Sequence, residues 1–286
     1  MSHVLGIVTV THNSGETLRS FLESVDAAST STSRLRRVDV VVADNDSRDP
    51  SEEAAIATEH GAVFVARREN DGYGSGIDAA MSRLADDVDL VLVSNPDVVL
   101  SPSSLDALVD GADRRPGAGS LGPRILDAAG DTYPSARALP SLRTGVGHAL
   151  LGRLWPANPW SVAYKAERDT DRERTAGWLS GACFLVRRDA YRAVGGFDHA
   201  YFMYFEDVDL GARLGRAGWD NVYVPAAVVT HTGAHSTEQN STVMERVHHE
   251  SAYLYLSRRY SAWWAAPLRG VLRAGLRARA WWVTRA

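Results

Sequence analysis

Cysteine is nearly absent from this chain. Among 286 residues there is one, Cys183, which excludes an internal disulfide framework and any zinc cluster built on thiolates. It lies in the largely apolar run Leu179-Ser180-Gly181-Ala182-Cys183-Phe184-Leu185-Val186, so it reads as a packed thiol rather than a nucleophile. Lysine is equally scarce, Lys165 being the only one; this says nothing about mechanism. No charge-free apolar stretch reaches the roughly 18 residues needed to span a bilayer. The start, Met1-Ser2-His3-Val4, lacks the basic segment and apolar run of a secretion signal. Both absences point to the cytoplasm. There is no excess of positive charge either: the net charge is -4, which gives no reason to expect nucleic acid as a partner. Internal repeats are missing, and no Gly-x-Gly-x-x-Gly follows the first strand signal, which argues against a nicotinamide-dependent oxidoreductase.

What is present is an alternation of strand and helix patterns over the first hundred residues. Val4 to Val10 is a continuous β-branched run, as in a strand covered on both faces. The polar turn Thr11-His12-Asn13-Ser14-Gly15 follows, with Ser14 expected to cap a helix from Thr17 to Ala28. Val38 to Ala43 reads as a second strand, Ser51 to His60 as a helix and Ala62 to Ala66 as a third strand. Asp71 to Leu84 holds a glycine-rich turn and a helix, and Leu90 to Ser94 is a fourth strand. Such alternation predicts an α/β fold, a parallel sheet with helices on both faces. Ligands of these sheets bind beyond the carboxyl ends of the strands, where the polar turns after the first, second and fourth strands fall. From about Leu121 the pattern is mixed. Tyr133 to Tyr164, with Trp155 and Trp160, reads as a loop or an acceptor-facing flap, while Thr175 to Val186 and Val222 to Val229 return to strand patterning.

Chemistry concentrates in a few places. Glu206, Asp207 and Asp209 bunch directly behind Phe202-Met203-Tyr204-Phe205. Close like charges resist burial, so the cluster reads as a base, a cation site, or both. Asn95-Pro96-Asp97 ends the fourth strand, where Asp97 suits an oxygen-ligand cation that also takes substrate phosphates. His231 ends another strand signal and can complete such a shell as a neutral imidazole, although a lone histidine is more often structural. Asp44-Asn45-Asp46-Ser47 could accept the imide N–H of a uracil or thymine ring, or simply form an Asx turn. Glu69 to Asp78 contains Gly-x-Gly-x-Gly opening a helix, a setting in which small residues let amides approach phosphate.

Residues 241–286 differ from the rest. Leu268, Val271, Leu272 and Leu276 share one helical face, Arg269, Arg273 and Arg277 another, and Trp263, Trp264, Trp281 and Trp282 flank them. A basic amphipathic helix with tryptophans suits an anionic membrane surface; the alternative is packing on the domain or on a second copy of the chain in a homo-oligomer.

Read in order, these pieces resemble an inverting family-2 glycosyltransferase. The matching segments are Val8 to Asn13, Val42 to Ser47, Asn70 to Gly76, Asn95 to Val98, Trp178 to Ala182, Gly195-Gly196-Phe197-Asp198, Phe205 to Leu210, and His231. The resemblance implies a glycosyltransferase A-type, Rossmann-like, mainly parallel mixed sheet over residues 1–240. Residues 1–120 form its nucleotide-sugar half and 121–240 its acceptor and catalytic half. It implies Asp207 as catalytic base, with Glu206 and Asp209 as supporting or alternative carboxylates. It implies Thr11, Asn13, Asp44, Asp46, Asn70, Gly72, Tyr73, Gly76, Asn95 and Asp97 on the nucleotide sugar, and Trp178, Ser180 and Gly181 on the acceptor. Asp97 and His231 would hold Mg²⁺ or Mn²⁺.

Within the family the chain is most similar to the rhamnosyltransferase branch, since Asn95-Pro96-Asp97 stands where many relatives have Asp-x-Asp. That likeness implies a dTDP-rhamnose donor and a polyprenyl-diphosphate-linked N-acetylglucosamine acceptor in cell-wall linker (arabinogalactan) synthesis. The enzyme would be peripheral on the inner face of the membrane. A UDP-sugar-dependent hexosyl- or galactofuranosyltransferase is the alternative, and a non-catalytic sugar-nucleotide-binding protein a remote one.

Overall fold

The computed structural model describes residues 2–141, 170–233 and 241–283 of the chain. The elements run β1 (His3–Thr11), α1 (Glu16–Thr30), β2 (Leu35–Asp44), α2 (Pro50–Glu59), β3 (Val63–Ala66), α3 (Tyr73–Met81), β4 (Leu90–Ser94), β5 (Val98–Leu100), α4 (Ser104–Arg114) and β6 (Ala118–Leu126). They continue with β7 (Thr132–Tyr133), β8 (Ala136–Arg137), β9 (Arg174–Ala176), β10 (Trp178–Leu179), β11 (Cys183–Arg187), α5 (Arg188–Ala193), α6 (Glu206–Arg216), β12 (Asp220–His231), α7 (Ser241–Arg259) and α8 (Ala266–Val283). The expected strands and helices of the first hundred residues are all present, with ends shifted by a few residues. Thr175 to Val186 is broken into three short strands. Of the expected loop from Tyr133 to Tyr164, residues 142–164, including Trp155 and Trp160, lie outside the described residues.

The main sheet has the order β3-β2-β1-β4-β11-β6-β12-β5. β1 pairs in parallel with β2 and β4, and β2 with β3. β11 is antiparallel to both β4 and β6, and β12 is parallel to β6. Two reversals restore the direction, so β12 points the same way as β4. His231, the last residue of β12, therefore shares the carboxyl edge with Asn95-Pro96-Asp97, and it pairs directly with Val98 of β5.

Side-chain alternation along the strands divides the core into two layers. Leu5 and Ile7 of β1 and Leu90 and Leu92 of β4 face α1, α2 and α4, where Leu18, Phe21, Leu22 and Val25 present one helical stripe. Val8 and Val10 of β1 and Val91 and Val93 of β4 face α3, α5 and α6. Cys183 is buried in the first layer, and burial pushes its thiol up to about 12 despite a hydrogen bond from Ser94; it is an inert packing residue. Asp49 caps α2 by accepting the Ser51 amide at 3.0 Å, with Pro50 at the first helical position. α1 departs from expectation. Its cap is Gly15, and the Ser14 hydroxyl instead accepts the His12 amide at 3.3 Å.

α7 packs on the body of the fold. Ala252 and Tyr255 are buried, and Tyr255 joins a cluster with Tyr201, Val208 and Ala212. The expected C-terminal tail thus has two parts, α7 against the domain and α8 beyond it. Among the described residues no helix is long and apolar enough to cross a membrane.

At the opposite edge, the His3 ring ties the start of β1 to Asp89 and, at 3.0 Å, to Asp113 of α4. Burial lowers its basicity, but the two carboxylates outweigh burial and raise the pKa above its ordinary value. A raised folded-state pKa stabilises fully below the unfolded value of about 6.5 and ceases to do so as pH rises through the folded value. The stability difference between the natural chain and His3→Gln, measured by urea unfolding, should therefore be larger at pH 5.5 than at pH 9; a difference independent of pH contradicts this assignment.

Candidate active site

The acidic cluster opens α6, and the backbone that delivers it is strained. Tyr204 and Phe205, neither of them glycine, both sit at φ +66, a left-handed conformation costing on the order of 1–3 kcal/mol each. The pair turns the chain sharply so that Glu206 and Asp207 lie in the first turn of α6, where the helix dipole favours negative charge.

The Asp207 carboxylate accepts the Gly181 amide at 2.9 Å and the Val208 amide at 2.7 Å. A Cβ at Gly181 would come within 3.3 Å of Asp207, so the glycine permits the approach. Burial raises the Asp207 pKa, opposed by the two amides and by the charge of Arg137. Glu206 is buried with Oε2 unpartnered, and burial first, then the Asp207 charge, push it up to about 8. Two adjoining buried carboxylates resist charging together, and the amides that Asp207 accepts favour the charge there. Asp209 has a different task. It pairs with Arg213 at 2.6 Å, and Arg213 donates to the carbonyls of Val194 and Gly196, each at 2.7 Å. It anchors the Gly195-Gly196 loop.

The Gly181-Ala182 strap links this carboxylate to the strand-end residues. The Ala182 carbonyl accepts the Asn95 amide at 2.8 Å, and the Gly181 carbonyl accepts the Tyr73 hydroxyl at 2.8 Å. The Tyr73 phenol is held well above its ordinary pKa by burial, then by the charges of Glu206, Cys183, Asp207 and Asp97; carboxylates from both halves thus surround one hydroxyl. Beyond the strap, Asp97 Oδ1 lies 3.1 Å from His231 Nε2, with the side-chain Nδ2 of Asn95 3.4 Å from the same ring nitrogen. Both side chains are partly exposed. With its proton on Nδ1, His231 presents a lone pair beside the Asp97 oxygen, a nitrogen–oxygen donor set that suits a Mg²⁺ or Mn²⁺ ion. Among the described residues no group of three or more His, Cys, Asp or Glu gathers in metal-holding geometry.

On the nucleotide side the residues behave less simply than expected. Asp44 is buried and accepts from Thr11 Oγ1 at 3.2 Å, from the Ser47 amide at 3.0 Å and from the Ser47 hydroxyl. Ser47 closes an Asx turn on it, and the exposed Asp46, at φ +64, is the acid at the surface beside it. Asn13, exposed at φ +55, accepts the Arg48 amide at 3.0 Å through its side chain. The glycines serve close packing. Gly72, at φ +108, lies against the Phe202 backbone, where a Cβ would come within 2.3 Å of the carbonyl oxygen; Gly76 backs onto Val10 and Asn45. Asn70 is exposed and accepts from the Gly72 amide at 3.3 Å and from Asn45 at 3.4 Å.

Of the residues expected at the acceptor, Trp178 is stacked 5.7 Å beneath the Arg137 guanidinium, which also lies 5.2 Å over Tyr133. Ser180 donates its amide to Ser135 at 2.7 Å. Arg137 is a candidate site residue that the sequence pattern did not single out. So is Arg67, which reaches Asn45, Asp71 and, at 3.0 Å, Ser75. An arginine just past a strand end and before a glycine turn was the available signal for Arg67.

The family described as "Glycosyltransferase like family 2" matches residues 3–249. The chain is 48% identical over 288 residues, 98% of its length and 92% of the other, to the N-acetylglucosaminyl-diphospho-decaprenol L-rhamnosyltransferase of Mycobacterium tuberculosis. It is 31% identical over 178 residues, 62% of this chain and 64% of the other, to the rhamnosyltransferase WbbL of Escherichia coli strain K12. In fold it is similar to the mannosyltransferase PcManGT of Pyrobaculum calidifontis, solved with GDP-Man and Mn²⁺, with a TM-score of 0.61 and 14% identity over 100% of this chain and 73% of that one.

Gly72→Ala should destabilise the protein by about 2 kcal/mol or more, because both the backbone angle and the Phe202 carbonyl oppose a side chain. Thermal unfolding checks this, and an unchanged midpoint contradicts it.

Proposed function

Because this chain belongs to glycosyltransferase family 2, we propose that it transfers L-rhamnose from dTDP-rhamnose to an N-acetylglucosaminyl-diphospho-polyprenol, with inversion at the anomeric carbon. The observation that carries this reading is the near full-length identity to a rhamnosyltransferase of that acceptor class. The joining of Asp207 to the Asp97–His231 pair through Gly181-Ala182 supports it.

Asp207 is the base. Ionised, it takes the proton from the acceptor hydroxyl as that oxygen attacks the anomeric carbon, while the bond to the departing diphosphate breaks on the opposite face. Glu206, by retaining its proton, leaves the charge on Asp207. Asp97 and His231 are the residues that would hold Mg²⁺ or Mn²⁺, which when bound neutralises charge growing on the leaving diphosphate. Asp46, Asn70 and Arg67 line the nucleotide side. Trp178, with Arg137 above it, offers an aromatic wall to the acceptor sugar.

The chain is further proposed to rest on an anionic membrane surface through α8. Trp263 and Trp264 are 86% and 69% exposed, and Leu268 and Val271 also face outward. Arg269 folds back to donate to the Tyr260 and Ala262 carbonyls, and Arg273 lies 5.7 Å over Tyr253. An apolar face turned to solvent with arginines beside it matches the headgroup boundary of an anionic bilayer, on the inner face where the polyprenyl acceptor would be reached.

A panel of dTDP-rhamnose and UDP-sugars offered with polyprenyl-diphosphate-linked N-acetylglucosamine tests the donor. A rhamnosylated product is expected, and products from UDP-hexoses or UDP-galactofuranose alone would replace this reading with its nearest rival. Asp207→Asn should lower turnover by about 10² or more with donor binding kept, whereas Glu206→Gln, mimicking the protonated acid, should stay within about tenfold of the natural enzyme. The reverse order would move the base to Glu206. Replacing both Trp263 and Trp264 by Ala should weaken binding to phosphatidylglycerol vesicles, with binding also falling as salt rises. Undiminished vesicle binding, or a dimer that dissociates with this change, removes the membrane assignment.

A further inference from the structure

The segment that delivers Asp207 is held from two sides, and one side is α7. On the donor side the Phe202 carbonyl accepts the Tyr73 amide at 2.9 Å, and the bare Gly72 backbone fits against it. On the other side, His248, Ser251 and Tyr255 occupy one stripe of α7 at spacings of three and four residues. The buried Ser251 hydroxyl donates to the Met203 carbonyl at 2.9 Å. The buried Tyr255 ring lies 5.8 Å from the Phe205 ring, and the His248 ring stands edge-on to Tyr204 at 5.3 Å and to Phe205 at 5.5 Å. Further along the helix, Arg258 reaches Asp198 and covers Tyr201 at 5.5 Å.

These contacts fall on the Met203 carbonyl and on the rings of Tyr204 and Phe205, that is, on the two left-handed residues and the one before them. Two consecutive non-glycine residues persist in that conformation only where their surroundings over-determine it. The Phe205 carbonyl also accepts the Asp209 amide at 2.9 Å, so a relaxation at Phe205 would tilt the first turn of α6 and with it the Asp207 carboxylate. α7 touches neither the metal pair nor the nucleotide turns through these residues, so its effect is expected on the chemical step and not on the donor.

We propose that Ser251 and Tyr255 are positioning residues for the transfer, holding the strained Met203-Tyr204-Phe205 segment so that Asp207 meets the acceptor hydroxyl. The proposal rests on the reading of Asp207 as the base. A displacement of about 1 Å at a reacting group can cost up to about 10² in rate. In the full-length chain, Ser251→Ala and Tyr255→Ala should each lower kcat about tenfold, with donor KM and calorimetric donor Kd unchanged within about twofold. Tyr255→Phe, which keeps the ring, should restore near-natural kcat.

Intact donor binding shows that each variant is folded. Unchanged kcat in both alanine variants overturns the proposal, as does a parallel loss of donor binding and kcat, which would make α7 merely structural. Asp207→Asn measured alongside separates the two levels. An inactive Asn variant with normal Ser251→Ala and Tyr255→Ala variants defeats only the positioning role, whereas an active Asn variant defeats the base assignment on which it stands.

Discussion

The hydrogen bond from the Gly181 amide to Asp207 is the contact on which the site depends. It joins the start of α6, a helix from the second half of the chain, to the strap entering β11, whose antiparallel pairing with β4 aligns Cys183 with Ser94. The next residue along the strap, Ala182, receives the Asn95 amide. Two hydrogen bonds thus separate the proposed base from the strand end that carries Asp97. A side chain at Gly181 would crowd Asp207, its Cβ coming within 3.3 Å of the aspartate side chain. The same amide opposes the effect of burial on Asp207, so one contact both locates the carboxylate and favours its ionised form.

Around that contact the molecule spends conformational strain and charge repulsion that ordinary surface elements avoid. Two left-handed residues precede the base, and two carboxylates adjoin, with Oε2 of Glu206 unpartnered. Each is unfavourable alone, and both are tolerated because rigid neighbours enclose them: the Gly72-Tyr73 turn, α7, and the Arg213 anchor on the far side of α6. The concentration of such costs in one cleft is what distinguishes a working site from a packed core.

Much of this was legible in the order of motifs. Strand ends were readable because β1 and β4 are continuous apolar runs, and their polar successors, Thr11 to Gly15 and Asn95 to Asp97, had to fall on the carboxyl edge. His231 could be placed with Asp97 only through the reversed strand β11, whose direction the local pattern does not reveal. At Asp44 the pattern stayed ambiguous, because an Asx turn closed by Ser47 and a nucleoside contact share one sequence. Gly72 and Gly76 read as phosphate-loop glycines, yet the groups that require them, Phe202 and Asn45, are distant in the chain. The role of α7 was invisible for the same reason, since Ser251 and Met203 are related only by the folded backbone.

The central claim is that the Asp207 carboxylate and the Asp97–His231 pair face one bound donor. The most direct test is a crystal structure with the nucleoside diphosphate and Mn²⁺, read by anomalous scattering. The expected result is a manganese peak about 2 Å from Asp97 and His231, in contact with the diphosphate, with Asp207 open to the same cavity. A peak held by other residues, or an Asp207 carboxylate turned away from the diphosphate, would contradict the account.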